Sequence, residues 1–264
     1  MKRYCLYLFI LIGISCSAEL KAQKNGTVYK GNDPAVRYTG RTLVSPAGSV
    51  AFDWVGTYLE TRFTGGKLSV KVSETGTSYY NVFVDGKLHK VVKVCGTDTL
   101  IHLVSGIDKR IHSLKIQKRS EGEFGKTTVH QFVLSGSGRL AEEPAVRTRH
   151  IEFIGNSLTC GYGTDGKHRD EPFLVETENC NLTFASMVAR YYDADYTLIA
   201  HSGRGAARNY GDSVRVSKVT MKDRMLNTFD EDLTHKWNFK EYRPDLVAVS
   251  YTHLRAHETD SYLV

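Results

Sequence analysis

The sequence predicts two units of different class in one chain: an antiparallel β-sandwich of jelly-roll type, then a parallel α/β domain. Three observations predict it. From about Gly26 to Glu143 apolar and polar side chains alternate with period two, glycine-bearing turns separate the runs, and no helical pattern interrupts them. Past residue 145 strands alternate with helices. The 264 residues, 41% hydrophobic and 24% charged, are enough for two separately cored units.

At the amino terminus Lys2 and Arg3 precede an apolar run from Tyr4 to Ile14, too short to span a bilayer comfortably. Leu20-Lys21-Ala22 before Gln23 then makes a signal-peptidase site, so residues 1–22 read as a signal peptide and the mature chain as secreted or periplasmic. Cys16 offers a lipoprotein alternative, disfavoured because Gly13 stands where a bulky apolar residue is expected. No other run is suited to crossing a membrane. The formal charge of +6 is spread over strands and loops without a basic stripe, which argues against a nucleic-acid partner.

The β unit is expected over residues 24–145. Leu68, Val70 and Val72 face one way while Lys67, Ser69, Lys71 and Ser73 face the other. Tyr80, Val82 and Val84 repeat the pattern, and Asp85-Gly86 supplies a type I′ hairpin turn. Leu114 with Ile116, then Phe132 with Leu134, continue it. Phe52-Asp53-Trp54, Tyr79-Tyr80 and Lys118-Arg119-Ser120-Glu121-Gly122 stand out. The aromatics would suit a sugar-stacking platform, but aromatics in strands are mostly core. The preferred reading puts Trp54 and Tyr80 in the sandwich core and Lys118–Gly122 in a solvated hairpin. His102, His112 and His130 are expected at the surface.

Ser135-Gly-Ser-Gly138 with Glu142-Glu-Pro144 has a linker composition, which places the boundary near residue 145. The α/β unit is expected over residues 149–249. Ile151, Phe153 and Ile154 mark a first buried strand ending at Gly155. Thr183–Tyr192 reads as a helix with Phe184, Met187, Val188 and Tyr191 on one face, and Tyr196–Ala200 as a second strand. Lys218–Phe229 reads as a second helix, and Leu246–Val249 as a third strand after Arg243-Pro244-Asp245. Strand, helix, strand, helix, strand with right-handed crossovers gives a parallel sheet.

Chemistry is expected where the strands end, because ligands of open α/β sheets bind at the carboxyl ends. Ser157, in Gly155-Asn156-Ser157-Leu158, follows the first strand, and Gly161 and Gly163 keep the next turn open. Thr159 excludes the Gly-x-Ser-x-Gly elbow. His201-Ser-Gly-Arg-Gly205 follows the second strand. Gly203 there is a candidate oxyanion donor, since glycine lets the backbone approach a developing charge closely. Among Cys95, Cys160 and Cys180, the last two flank the serine loop and suit either a disulfide or buried thiols. No Cys/His spacing resembles a zinc site, and no cofactor motif is present.

The Gly-Asn-Ser-Leu block resembles the Gly-Asp-Ser-Leu block of the SGNH (GDSL) hydrolases, with Asn156 in place of the aspartate. More specifically, the chain resembles carbohydrate esterase family 2, a jelly roll followed by an SGNH hydrolase domain, many of whose members are acetylxylan esterases. The resemblance rests on Phe52-Asp-Trp54, Tyr79-Tyr-Asn-Val82, Lys118–Gly122, Phe153–Gly163, Thr177-Glu-Asn179, His201–Gly205 and Arg208-Asn-Tyr-Gly211, all in order. It implies Ser157 as nucleophile, with Gly203 and the Ser157 N–H lining an oxyanion hole, and acetylated polysaccharide or oligosaccharide as the partner.

The resemblance also implies a Gly-Thr-Asn-Asp block after the third strand and a later His-Pro block carrying the general base. Neither is present. The sequence from residue 249 onward reads instead Val249-Ser-Tyr-Thr-His-Leu-Arg-Ala-His-Glu-Thr259, and Ser250–Thr259 resembles a translated sequencing adapter of the transposon type. Residues 250–264 are thus expected to be a non-native tail on a C-terminally truncated SGNH domain. Nothing would fix them in place, and neither His253 nor His257, even with Asp260, would serve Ser157 as a base. Two functions follow from the sequence: a serine esterase that deacetylates polysaccharide, inactive in this form, or a carbohydrate-binding, lectin-like protein with a vestigial serine loop.

Overall fold

Period-two alternation builds most of the molecule. In the computed structural model, which describes residues 26–142 and 145–251, ten antiparallel strands precede residue 141. They are β1 (Gly26–Lys30), β2 (Val36–Thr39), β3 (Leu43–Val44), β4 (Val50–Phe52), β5 (Tyr58–Thr64), β6 (Lys67–Val84), β7 (Lys87–Val104), β8 (Ile111–Lys118), β9 (Thr127–Ser135) and β10 (Arg139–Leu140). Their order is β10-β5-β8-β6-β9-β4-β3, with β1 beside β9, β2 beside β5 and β7 beside β6. β6 changes partner along its length, pairing β9 from Lys67 to Glu74 and β8 from Tyr80 to Val84. β8 and β9 thus share one strand as successive partners. Leu68, Val70, Val72, Val82, Leu114, Phe132 and Leu134 are buried together, as alternation predicts. Asp85 and Gly86 both have positive φ, +50° and +75°, and join β6 to β7 in the expected two-residue turn.

The second unit is a three-stranded parallel sheet, ordered β12 (Asp195–Ala200), β11 (His150–Gly155), β13 (Leu246–Val249). Three helices accompany it: α1 (Ser157–Cys160), α2 (Phe184–Tyr191) and α3 (Met221–Arg224). The expected helix over Lys218–Phe229 shrinks to the single turn α3. Thr220 and Asp223 form a capping box that starts it, but side chains then take the carbonyls that would continue it. Asn227 Nδ2 donates to Asp223 O at 2.7 Å, and Arg41 Nη1 donates to Met225 O at 2.6 Å and Asn227 O at 2.8 Å. α2 lies where expected but shows the other face to the protein: Ala185, Ser186 and Ala189 are buried, whereas Phe184, Met187 and Tyr191 are exposed.

The two units share a core. Val55 and Tyr58 pack with Ile151, Phe153, Tyr196 and Leu198, and Trp54 packs against Ile199 and Met221. Tyr80 lies in the core of the β unit as expected, but Trp54 sits between the units. An ion pair and a hydrogen bond frame the seam: Arg37 Nη1 is 2.7 Å from Asp195 Oδ2, and Tyr58 donates to Asp195 Oδ1 at 2.7 Å. Ser135–Gly138 is a turn leading into β10 rather than a linker, because Arg139 and Leu140 pair back onto Thr64 and Phe63. Ser250 and Tyr251, expected to be unsupported, are held. Ser250 N donates to Ile154 O at 3.0 Å, and Tyr251 packs beside Trp54 and Met221. The expected signal peptide with Cys16, and His253, His257 and Asp260 of the tail, lie outside the described residues. Among the described residues no helix is long and apolar enough to cross a membrane.

Candidate active site

Parallel pairing in register, Gly155 opposite Ala200, brings the ends of β11 and β12 together, so Ser157 and the loop carrying Gly203 emerge at the same edge of the sheet. Asn156 caps α1, its side chain accepting from Leu158 N at 3.2 Å, and Gly161 with φ +82° ends the turn. Ser157 is half-buried, and its hydroxyl makes no hydrogen bond among the described residues. Gly203 has φ +71°, a conformation that favours glycine, and its carbonyl accepts from Tyr210 N at 2.8 Å. Asn209 steadies this loop, accepting from Gly205 N at 3.2 Å and donating to Val219 O at 2.9 Å.

The loop is clamped from the other unit, a contact that local sequence pattern does not announce. The segment Lys118–Gly122 is buried, not solvated. Glu121 accepts from Ser202 N at 2.5 Å and also from the Ser202 hydroxyl, immediately before Gly203. Its own N–H donates to Glu178 Oε2 at 2.9 Å. Burial, then repulsion from Glu121, pushes the Glu178 carboxyl well above the usual range. Lys118 donates to Ser78 Oγ at 2.8 Å and Glu121 O at 3.2 Å, and burial lowers its pKa despite nearby Glu74 and Asp53. Arg119 donates to Glu178 O at 2.6 Å, Glu176 O at 3.0 Å and Asn81 Oδ1 at 3.2 Å, and pairs with Asp165. A run so rich in charge, Lys118-Arg119-Ser120-Glu121, was legible as unusual. Its burial was not, because its partners beyond the hairpin itself are distant in sequence.

His201 begins the same loop and is fully buried. Its Nδ1 lies 2.7 Å from Asp230 Oδ2, and Glu123 Oε2 lies 3.5 Å from its Nε2. Burial opposes charging the ring, but the hydrogen bond to Asp230 and the nearby Glu123 carboxylate outweigh it and raise the imidazole to about 10. Asp230 is held in turn by Arg224 Nη1 at 3.0 Å, and its N–H donates to Asp53 Oδ1 at 2.8 Å. Burial, then the charge on Asp230, raises the Asp53 carboxyl. Phe229-Asp-Glu-Asp232 carried no signal of this role beyond its charge.

Cys160 and Cys180 are free, buried thiols in the shared core, so the disulfide alternative is not realised; Cys95 is free and exposed. Burial, then the Glu121 charge, raises the Cys160 thiol, which makes it unreactive. His112, expected at the surface, is buried between Asp85 at 2.7 Å and Asp108 at 3.0 Å.

Residues 38–144 match the family model described as carbohydrate esterase 2 N-terminal. The chain is 32% identical over 219 residues to a cellulase/esterase, CelE, of Acetivibrio thermocellus, covering 83% of this chain and 26% of that protein. It is 31% identical over 217 residues to an acetylxylan esterase / glucomannan deacetylase of Cellvibrio japonicus, covering 80% of this chain and 58% of that one. The solved structure of a family two carbohydrate esterase from Clostridium thermocellum, in complex with cellohexaose, superimposes with a TM-score of 0.77 at 31% identity, covering 82% of this chain and 65% of that one. The chain thus spans less than two thirds of each of these proteins. Residues 38–144 thus form a carbohydrate esterase 2 N-terminal domain, and the chain around them is similar to family two carbohydrate esterases.

Proposed function

We propose that the chain derives from a serine esterase that removes acetyl groups from polysaccharide of the xylan or glucomannan class. One observation carries this reading: Ser157 and Gly203 follow paired parallel strands at one sheet edge, with the serine hydroxyl uncommitted among the described residues. Ser157 attacks the acetyl carbonyl, and the N–H groups of Gly203 and Ser157 stabilise the oxyanion. The reading includes a jelly-roll arrangement of the β unit, the SGNH type for the parallel one, and export through residues 1–22. A histidine must take the serine proton, and among the described residues none hydrogen-bonds the Ser157 hydroxyl. His201 is unsuited to the task, because its Nδ1 is bound to Asp230 and its ring is held charged near neutral pH. The 264-residue chain is therefore expected to be inactive through loss of the Asn and His blocks.

A second reading is a carbohydrate-binding, lectin-like protein. The cellohexaose held by the Clostridium thermocellum esterase favours this alternative as one to test. Acetate release from acetylated xylan and glucomannan by the full-length gene product separates the two. Release by that product, with none from the 264-residue chain, supports the esterase. Retention on the polysaccharide with no acetate released supports the binding protein.

A further inference from the structure

We propose that Glu121, Glu123 and His201 form a binding site for one divalent cation of the zinc or manganese type. The inference stands independently of the esterase reading. It starts from the orientation of the His201 ring. The Asp230 carboxylate, ion-paired to Arg224, can only accept, so the 2.7 Å contact assigns the hydrogen to Nδ1. In the neutral ring Nε2 then carries a lone pair. Nε2 is buried and makes no hydrogen bond among the described residues, with Glu123 Oε2 standing 3.5 Å away. It faces two carboxylates: single donor atoms of Glu121, Glu123 and His201 all lie within 4.8 Å of one another. One cation with ligand bonds of about 2.0–2.2 Å bridges such a set after small side-chain adjustments.

Three further features suit a metal rather than a chance cluster of acids. Asp230 behind the imidazole is the outer-shell carboxylate that fixes tautomer and ring direction in histidine-ligated sites, and Arg224 and the Asp53–Asp230 hydrogen bond fix it in turn. The charges are also unbalanced on the Nε2 side. Arg224 is committed to Asp230 and Glu231, at 3.0 and 2.7 Å, while neither Glu121 nor Glu123 pairs with a lysine or arginine among the described residues. An imidazole nitrogen with two carboxylates is a donor set for zinc or manganese. Finally there is a way in: Glu123 is 37% exposed and lines an open cleft of about 300 Å³ with Asp53, Glu231, Asp232 and Lys126. No spacing pattern announces the site, because Glu121 and Glu123 come from one unit and His201 from the other.

The test uses the whole chain, stripped with a chelator and titrated calorimetrically at pH 7 with Zn²⁺ and separately with Mn²⁺. One equivalent of at least one metal is expected to bind, and Glu123→Gln is expected to weaken it about tenfold or more. Substituting buried His201 risks unfolding the loop, so the part-exposed Glu123 carries the decision. Co²⁺ added to the unsubstituted chain should give visible bands that Glu123→Gln alters. No saturable binding of either metal, or binding that Glu123→Gln leaves unchanged, would overturn the proposal.

Discussion

Arg119 shows how much of the molecule rests on single buried charges. Its guanidinium holds two carbonyls and an amide oxygen of distant segments while its neighbours Lys118 and Glu121 are themselves buried. Removing one member of a buried charged network leaves the others unpaired, so Arg119→Ala should destabilise the fold by about 3–5 kcal/mol, read as a shifted midpoint in urea. Arg119→Lys should restore only part of this, since an ammonium cannot reach the three acceptors together. The raised groups set a pH dependence. His201 is held up at about 10, so its stabilisation is full below the ordinary imidazole range and is lost as pH rises through that value. Asp53 and Glu178, also raised, keep a proton in the fold that the unfolded chain has given up, so they too lose stability as pH climbs. Lys118, lowered by burial, works the other way, as does Lys115, which gains only above about 8. His112, raised by its hydrogen bond to Asp85, adds to the losing side, while His102 and His150, lowered by burial, oppose it; the raised groups are expected to prevail, giving a lower thermal midpoint at pH 8 than at pH 6 by circular dichroism. A midpoint that rises over this interval would mean that the lowered groups dominate.

At the level of elements, alternation and turn chemistry made the strands readable. Leu68–Val84, the Asp85-Gly86 turn and the three parallel strands all lie where the sequence puts them. A Cβ at Gly86 would meet nothing within 4 Å, so Gly86→Ala tests backbone strain alone. It should cost about 1–2 kcal/mol in a urea titration, with the β6–β7 register kept. The helices were less readable for physical reasons. The apolar spacing of Phe184, Met187, Val188 and Tyr191 marked α2 correctly but not its inward face. Close packing against β12 is made by Ala185, Ser186 and Ala189, which are small enough to allow it. The Lys218–Phe229 pattern failed because Arg41, nearly two hundred residues earlier in the chain, captures the carbonyls after the first turn.

Across the whole molecule, the two units meet through a buried polar seam as well as an apolar one. That is why the candidate site was half legible. Ser157 and Gly203 are local features, each a small residue after an apolar strand. Glu121, Glu178, Asp53 and Asp230 act through long-range contacts that no local pattern records. The α/β unit also leaves apolar side chains in solvent: Phe184, Met187 and Tyr191 on α2, and Leu246, Val247 and Val249 on β13. Such patches promote association, so the chain should self-associate with rising concentration in sedimentation velocity, and Met187→Glu with Val247→Glu should reduce it. The central claim concerns Ser157, and kcat/KM for an aryl acetate tests it most directly, measured on the full-length gene product and its Ser157→Ala variant. Loss of the nucleophile should lower it by at least about a thousandfold; a variant that keeps the unsubstituted rate would show that the serine turn is not the site of attack.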